Sequence, residues 1–198
     1  MNIYTISIFL VTYLICSISP AIIICKRKTG EDIRRLGNGS AGSSNALQVL
    51  GRPLGTLVII LDVAKVFVSF GVVTLIAKMF GVDMESTVKP IFLVASVMGH
   101  CFPIYYGFKG GKGVIVGITT AFILDKKIAL VCLIVGLIIV LITRVVAMGT
   151  LAGVILYAIM TLVMIPKFTL PVIIASLIVM YMHRENIQRM KARQEEKI

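Results

Sequence analysis

Seven apolar stretches dominate this sequence, and the longest are too long and too uniformly nonpolar for the core of a water-soluble domain. They cover residues 3–25, 54–77, 90–106, 114–124, 128–142, 145–165 and 168–182. About 20 apolar residues in a helix cross the roughly 30 Å hydrocarbon core of a bilayer. Only 15% of the 198 residues are charged, against about 25% in soluble domains. The sequence therefore predicts an all-α, polytopic membrane helix bundle that forms one domain over residues 1–198.

The number of crossings depends on the weaker stretches. Residues 114–124 are too few to span a bilayer unaided, which predicts a short or tilted helix. Residues 3–25 resemble a signal peptide, but no basic residue precedes them and no small-residue cleavage site follows a short apolar run. We therefore predict that they form a retained first membrane helix. Seven crossings are preferred, and five remain an alternative if two weak segments are re-entrant.

The distribution of basic residues predicts the orientation. With seven crossings, fourteen Lys and Arg residues fall on the side that holds the C-terminus and five on the other side. Cytoplasmic loops carry the excess of Lys and Arg. The N-terminus is thus predicted outside and the C-terminus in the cytoplasm, with a charged tail whose last ten residues are expected to be solvated.

The net charge of +11 does not predict a nucleic-acid partner. Trp is absent, aromatic residues are few, and the basic residues lie at the ends of apolar stretches. This pattern is typical of contact with anionic membrane lipids. The four cysteines (Cys16, Cys25, Cys101 and Cys132) lack metal-ligand spacing. We expect them to pack between helices, and we expect neither a metal nor a cofactor.

The first polar segment, residues 32–45, is rich in residues that bind anions. Gly37-x-Gly39-x-x-Gly42 matches the dinucleotide fingerprint, but it follows an apolar helix rather than a strand. Glycine-rich backbone can still converge its N–H groups on an anion, and short polar side chains add donors. The candidate phosphate-binding residues are Gly37, Asn38, Gly39, Ser40, Gly42, Ser44, Asn45 and Gln48. A flexible interhelical loop remains the alternative.

The second polar segment surrounds a lysine with glycines. Residues 107–113 resemble a P-loop but have the wrong spacing and end in Gly113 instead of Ser or Thr. Gly110, Gly111 and Gly113 beside Lys112 would suit a phosphate without Mg²⁺. His100, just upstream, could serve as a general base or as a hydrogen-bonded packing residue.

Two further pairs of polar residues follow helical spacing. His183 and Asn186 lie three positions apart after the last apolar stretch, so a helix places them on one face. They could orient a substrate or only cap an interfacial helix. Asp62 and Lys65 are also three apart but lie inside an apolar stretch, where ionisable residues usually pair or line a cavity. Gly149-x-x-x-Gly153 predicts close helix packing.

Together these segments resemble the bacterial acyl-phosphate:glycerol-3-phosphate acyltransferase family (PlsY) over nearly the whole chain. The resemblance rests on Ser19-Pro20, Asp32-x-Arg-x-x-Gly-x-Gly, Asp62-x-x-Lys65, Gly99-His100-x-x-Pro103, Phe108-Lys-Gly-Gly-Lys-Gly113 and His183-Arg-Glu-Asn-Ile-Gln-Arg189. It implies a bacterial plasma-membrane enzyme with its site at the cytoplasmic face. Such an enzyme transfers a fatty acyl group from acyl phosphate to the sn-1 hydroxyl of glycerol 3-phosphate, giving lysophosphatidic acid. A partner enzyme would supply the acyl phosphate.

The resemblance also implies roles for individual residues. Lys112 would stabilise phosphate charge, His183 and Asn186 would position the acceptor, and His100 would support the site. The glycine loops would hold the two phosphates. Independently of the resemblance, the spacing of Asp62 and Lys65 predicts a structural ion pair that faces the bundle, with a direct catalytic role as the alternative. The acyl chain would lie between helices.

The sequence departs from the family pattern at several positions. Asn38 and Ser40 exchange places, Ser43-Ser44 replace Ala-Thr, and Val116 replaces a Thr. Gln48 stands where the family has a phosphate-binding Arg, and Ala147 where it has a Ser. Arg52 would lie one turn beyond Gln48 in a continuous helix and could compensate. Alternatives are an acyltransferase with another acceptor, or a non-catalytic transporter or lipid-binding paralogue.

Overall fold

A computed structural model describes residues 3–197 and shows a bundle of α-helices. The helices within this range are α1 Ile3–Cys16, α2 Pro20–Thr29, α3 Ser43–Phe80, α4 Lys89–Cys101, α5 Val114–Leu124, α6 Lys126–Thr143, α7 Val146–Met164, α8 Thr169–Met182 and α9 Arg184–Lys191. Short 3-10 turns lie at Ile33–Arg35, Ile104–Tyr106 and Pro166–Phe168, and a π turn at Met84–Val88. The predicted all-α class is confirmed.

Among residues 3–197, five helical segments are long and apolar enough to cross a membrane. They are Ile3–Thr29, Ser43–Phe80, Met84–Tyr106, Lys126–Thr143 and Val146–Met164. The pair Pro166–Met182 and Arg184–Lys191, bent by 56°, makes a sixth if the two helices form one span. The remaining helix, Val114–Leu124, is as short as the sequence predicts. The multi-pass membrane architecture is thus confirmed, while seven crossings and the orientation of the termini stay predictions.

The first membrane segment is broken in its middle. α1 ends at Cys16 and α2 begins at Pro20, where the Ser19 hydroxyl accepts a hydrogen bond from the Ile22 N–H at 3.4 Å. Proline is favoured at the first turn of a helix because no intrahelical partner is needed for its nitrogen. The break leaves the Ile18 carbonyl free of the helix, and this oxygen accepts a hydrogen bond from Lys65 Nζ at 2.9 Å.

α3 also contains a break. Gly51 has φ 78° and ψ 171°, values that a glycine adopts far more readily than other residues. The turn that carries Gln48 is therefore separate from the long membrane helix that begins at Arg52 and contains Pro53. The continuous helix that would place Arg52 one turn beyond Gln48 does not form.

Helices α6 and α7 approach each other through glycines. A Cβ added to Gly149 would collide with the Gly136 carbonyl oxygen, and one added to Gly153 would lie 3.3 Å from the Cys132 carbonyl oxygen. Small residues let membrane helices pack closely, so the packing predicted from Gly149 and Gly153 is confirmed. The four cysteines are free and buried, also as predicted.

Candidate active site

The lysine-glycine segment after α4 is folded back onto the end of that helix. Gly110 N donates to the Cys101 carbonyl at 3.0 Å, and Gly111 N donates to the His100 carbonyl at 3.2 Å. A Cβ at Gly110 would collide with the His100 carbonyl, and one at Gly111 would collide with the His100 ring. Only glycine fits at these positions, and their packing fixes the start of the Lys112 side chain.

Lys112 is linked to the helix that follows the last membrane segment. Its Nζ donates to Asn186 Oδ1 at 2.6 Å, and the Asn186 side chain is buried. Burial lowers the pKa of the Lys112 ammonium below its usual value, and the nearby Arg189 charge lowers it further. Lys112 and Asn186, more than seventy residues apart in the chain, thus form one polar centre.

Glu195 completes this centre, although the sequence alone did not predict it as a site residue. One carboxylate oxygen accepts a hydrogen bond from Asn186 Nδ2 at 2.5 Å, and the other accepts one from Arg189 Nε at 2.8 Å. The Glu195 side chain is only 9% exposed. The prediction that the last ten residues are solvated is therefore wrong at Glu195, although Gln194, Glu196 and Lys197 are exposed.

His183 lies at the bend between α8 and α9. Its ring is 2% exposed, and Nδ1 lies 2.8 Å from the Val179 carbonyl oxygen. Because a carbonyl oxygen only accepts, Nδ1 carries the proton. Nε2 of the neutral ring is then left with a lone pair, which can accept a proton from a substrate hydroxyl.

His100 has the opposite arrangement. Its Nδ1 lies 3.0 Å from Lys65 Nζ, which also donates to the Ile18 carbonyl and lies 2.8 Å from Asp62 Oδ1. Because an ammonium group only donates, His100 Nδ1 accepts, and the Nε2–H of the neutral ring faces Gly111. The contact with Asp62 Oδ1 is a charge pair rather than an aligned hydrogen bond, because that oxygen accepts no well-directed bond from residues 3–197.

The first polar segment is organised by Asn45. Its Nδ2 donates to the carbonyls of Ile33, Leu36 and Ser40 at 3.1, 3.0 and 2.9 Å. Its Oδ1 accepts from Asn38 N at 2.9 Å, and its side chain is fully buried. These bonds use the hydrogen-bonding capacity of the amide, so Asn45 shapes the loop rather than reaching a ligand.

The two glycine loops touch each other. A Cβ at Gly42 would lie 3.9 Å from both Gly111 Cα and Lys112 N, and one at Gly111 would lie 3.1 Å from the Ala41 carbonyl oxygen. Gly37 and Gly39 have positive φ of 54° and 76°, which turns the loop. The backbone of the first loop therefore lies beside the Lys112 segment, as expected if the two loops bind neighbouring phosphates.

Arg34 holds the two loops together. Its guanidinium donates to the carbonyls of Tyr106 and Lys109 at 2.6 and 3.1 Å and pairs with Asp32 at 2.7 Å. The Arg34 partner holds the pKa of the Asp32 carboxyl below its usual value. Since Asp32 also accepts from Arg34 N at 2.9 Å, it fixes the side chain that joins the loops.

Other predicted site residues lie at the edge of this arrangement. Ser44, Gln48 and Arg52 are exposed, and Arg52 lies beyond the break at Gly51. A Cβ at Gly37 would lie 3.1 Å from Gln48 Oε1, so Gln48 borders the first loop. Ala147 and Val116 are buried. Within residues 3–197, no group of three His, Cys, Asp or Glu side chains is placed to hold a metal ion.

An apolar cavity of about 210 Å³ opens beside the polar centre. It lies among α4, α5, α6, α7 and α8, and its lining includes Gly113, which follows Lys112, and Val179, whose carbonyl binds His183. None of the described residues that line it is charged. A linear nonpolar group attached to an anion could therefore place its anion at Lys112 and its chain in the cavity.

These features define a class: a multi-pass membrane helix bundle in which a glycine-lysine anion site adjoins an apolar cavity. The family model described as glycerol-3-phosphate acyltransferase matches residues 6–193. The chain belongs to this family of integral-membrane acyltransferases, which acts in phospholipid biosynthesis.

Similar proteins agree over nearly their whole length. The chain is 37% identical to a glycerol-3-phosphate acyltransferase of Aquifex aeolicus (strain VF5), covering 93% of this chain and 95% of that protein. It is 34% identical to one of Clostridioides difficile (strain 630), covering 96% and 94%. The crystal structure of PlsY (YgiH), an integral membrane glycerol 3-phosphate acyltransferase in its glycerol 3-phosphate form, matches with a TM-score of 0.85 and 33% identity, over 98% and 95%.

Proposed function

We propose that this protein transfers a fatty acyl group from an acyl phosphate to the sn-1 hydroxyl of glycerol 3-phosphate, giving lysophosphatidic acid and phosphate. The observation that carries the proposal is the position of Lys112, which donates to Asn186, lies beside the first glycine loop and precedes Gly113 in the wall of an apolar cavity. The related PlsY has been crystallised in glycerol 3-phosphate and lysophosphatidic acid forms, which supports these molecules as acceptor and product.

The polar centre suits two phosphates. Lys112 supplies a partly buried ammonium, and the first loop approaches the Lys112 backbone N at Gly42. A preorganised cation stabilises charge that develops on the leaving phosphate better than water does, because it needs no reorientation. In this proposal Lys112 contacts the phosphate of the donor, and Asn186, held by Glu195, orients the acceptor.

The chemical step needs one proton acceptor. The acceptor hydroxyl oxygen attacks the acyl carbonyl carbon and forms the ester C–O bond. The bond between that carbon and the phosphate oxygen breaks, and its electron pair leaves with the phosphate. His183 Nε2 takes the hydroxyl proton, because Nδ1 is committed to Val179. Phosphate is a good leaving group, so positioning suffices and no covalent enzyme intermediate is invoked.

His100 has a supporting role in this proposal. Its Nε2–H faces Gly111, the residue that precedes Lys112. The ring thereby supports the backbone of the glycine-lysine segment and adds a donor at the floor of the anion site. Lys65 and Asp62 hold the ring in that orientation.

The site is proposed to face the cytoplasm of a bacterial plasma membrane. All three polar segments lie on the side where fourteen basic residues gather if the chain crosses seven times. Glycerol 3-phosphate would enter from the cytoplasm, and a partner enzyme would deliver acyl phosphate there. No cofactor is required for the reaction as written.

The test uses purified protein in lipid vesicles, palmitoyl phosphate and radiolabelled glycerol 3-phosphate. We expect labelled lysophosphatidic acid and an equal amount of released phosphate. Parallel reactions replace palmitoyl phosphate by palmitoyl coenzyme A or palmitoyl-acyl carrier protein. Product formed only from these thioesters would contradict the donor assignment. A lack of product with every donor, beside an active related enzyme, would contradict the proposed reaction.

Gln48 favours a second candidate, an acyltransferase for a different acceptor. This exposed amide borders the first loop where the family resemblance predicts a phosphate-binding Arg. An uncharged amide binds phosphate more weakly than a guanidinium. Phosphate release from palmitoyl phosphate, stimulated by glycerol or another polyol but not by glycerol 3-phosphate, would favour this candidate.

A further inference from the structure

The apolar cavity has a definite direction. At one end, Gly113 and Val179 border the polar centre, together with Val140 near the end of α6 and Val146 at the start of α7. The two helices run antiparallel, so the lining residues farthest from this opening are Ala129 on α6 and Tyr157 on α7. The cavity therefore runs from Lys112 toward the opposite side of the bundle.

The length of the cavity follows from its helical walls. The lining positions on α6 extend from Val140 to Ala129, and those on α7 from Val146 to Tyr157. Both sets cover about 16 Å at 1.5 Å per residue. The space is thus long and narrow, as a single hydrocarbon chain requires.

Tyr157 lines the far end of the cavity. It packs against a buried cluster that includes Leu93, Leu124, Phe168 and Val172. Leu93 and Val172 also line the cavity beside it. Tyr157 thus lies at the end of the cavity where α6 begins, after its N-cap Asp125.

We propose that Tyr157 sets the longest acyl chain that the donor can carry. This inference rests on the proposed function, in which the donor's chain occupies the cavity. A chain that arrives from the bilayer gains little by entering an apolar cavity, because lipid tails are equally apolar. Selection therefore depends on steric fit, and a chain that overpacks the far end is disfavoured roughly tenfold.

Gly117 offers a test in the opposite direction. It lines the cavity one turn into α5, about 6 Å beyond Gly113, and a Cβ built on it would meet no atom within 4 Å. A leucine at this position would project into the cavity and shorten it. Ile155 on α7 is the matched control for Tyr157, because its side chain is 46% exposed and does not line the cavity.

The kinetic test measures kcat/KM for saturated acyl phosphates from decanoyl to eicosanoyl. Tyr157→Ala should raise kcat/KM roughly tenfold for the first chains that the unmodified enzyme rejects and leave shorter chains unchanged. Gly117→Leu should lower kcat/KM by a similar factor for chains that extend past the first turn of α5, and it should spare butyryl phosphate, which is added to the series as the short-chain control. Ile155→Ala should leave the profile unchanged. Equal changes at all chain lengths in Tyr157→Ala or Gly117→Leu would overturn the proposal.

A binding test separates this inference from the proposed reaction. Cys132 lines the cavity about 12 Å beyond Val140 and is 6% exposed, so a chain reaching that depth covers it. Alkylation of Cys132 by N-ethylmaleimide, followed by mass spectrometry, should be slowed by palmitoyl phosphate but not by butyryl phosphate. Eicosanoyl phosphate should protect Cys132 better in Tyr157→Ala than in the unmodified protein. Identical protection in both would overturn the role of Tyr157 even in a protein that transfers no acyl group.

Discussion

The two histidines occupy similar places but are held in opposite ways. Each is buried at the C-terminal end of a membrane helix, His100 on α4 and His183 after α8. His183 Nδ1 donates to a carbonyl, whereas His100 Nδ1 accepts from the Lys65 ammonium. The free nitrogen is therefore a proton acceptor in His183 and a donor in His100.

This difference indicates different functions for two chemically identical side chains. One backbone carbonyl holds His183, and its other nitrogen is available for chemistry. His100 Nδ1 is bonded to Lys65, which pairs with Asp62, and all three side chains are buried. His100 Nε2 faces the backbone of Gly111. We expect substitutions around His183 to lower the rate of acyl transfer, and substitutions around His100 to lower stability first.

Lys112→Ala should have the largest effect, because Lys112 joins the His183 region to the glycine loops. It removes the ammonium that binds Asn186 Oδ1 and, in the proposed reaction, the phosphate. We expect kcat/KM to fall by roughly 10³-fold or more, with the thermal unfolding midpoint in detergent nearly unchanged. Turnover close to that of the unmodified enzyme would show that the site is misplaced.

Lys112→Arg provides the control for charge. Burial lowers the pKa of Lys112, so its ammonium deprotonates at a lower pH than a solvated lysine. Activity that depends on this charge is complete below that pKa and is lost as pH rises through it. In Lys112→Arg, the remaining activity should persist to higher pH, because a guanidinium stays protonated.

His183→Gln should have the next largest effect. Glutamine retains a donor for the Val179 carbonyl but cannot act as a base. We expect kcat to fall by roughly 10³-fold, measured as labelled lysophosphatidic acid. His100→Gln is the matched comparison and should lower the unfolding midpoint more than it lowers the rate per folded molecule. Equal rate losses in the two variants would remove the distinction between the histidines.

Lys65→Met should act mainly on stability. It leaves Asp62 buried without its cation and leaves the Ile18 carbonyl and His100 Nδ1 without their donor. Removing one partner of a buried ion pair typically costs about 3 kcal/mol or more. Thermal unfolding in detergent measures this loss, with exposed Lys78→Met on the same helix as control. If the Lys65 and Lys78 variants unfold alike, the buried group contributes no stability.

Much of the fold was predictable because each helix is specified by residues close together in the sequence. Each apolar stretch predicts helix, but the single helix predicted over residues 3–25 is divided at Ser19, which caps the start of α2 at Pro20. The break at Gly51 was not predicted, since an isolated glycine is often tolerated within a helix. The break brings Gly55 against Leu47, and a Cβ on Gly55 would lie 2.5 Å from Leu47 Cα. This contact across the break is visible only in the structure.

The site was predictable where a residue type implies its chemistry and not where packing decides its role. Lys112 donates to Asn186, and His183 begins the short helix that carries Asn186, while their roles in a site stay predictions. Asn45 resembles a phosphate ligand in sequence, but its Nδ2 donates to three carbonyls of its own loop. Glu195 joins the site because the tail folds back, and a charge near a chain end does not indicate such long-range docking.

Gln48→Arg should have the smallest effect. It adds a positive charge beside the first glycine loop, at an exposed residue rather than at either buried histidine. Gln48 Oε1 lies near Gly37, so an arginine here could extend over the first glycine loop. A charge-assisted bond to the acceptor phosphate should lower the KM for glycerol 3-phosphate roughly tenfold, with little change in kcat or in the KM for palmitoyl phosphate. Arg52→Gln controls for charge on the far side of the Gly51 break and should leave KM unchanged. A KM that rises in Arg52→Gln and does not fall in Gln48→Arg would instead assign acceptor binding to Arg52.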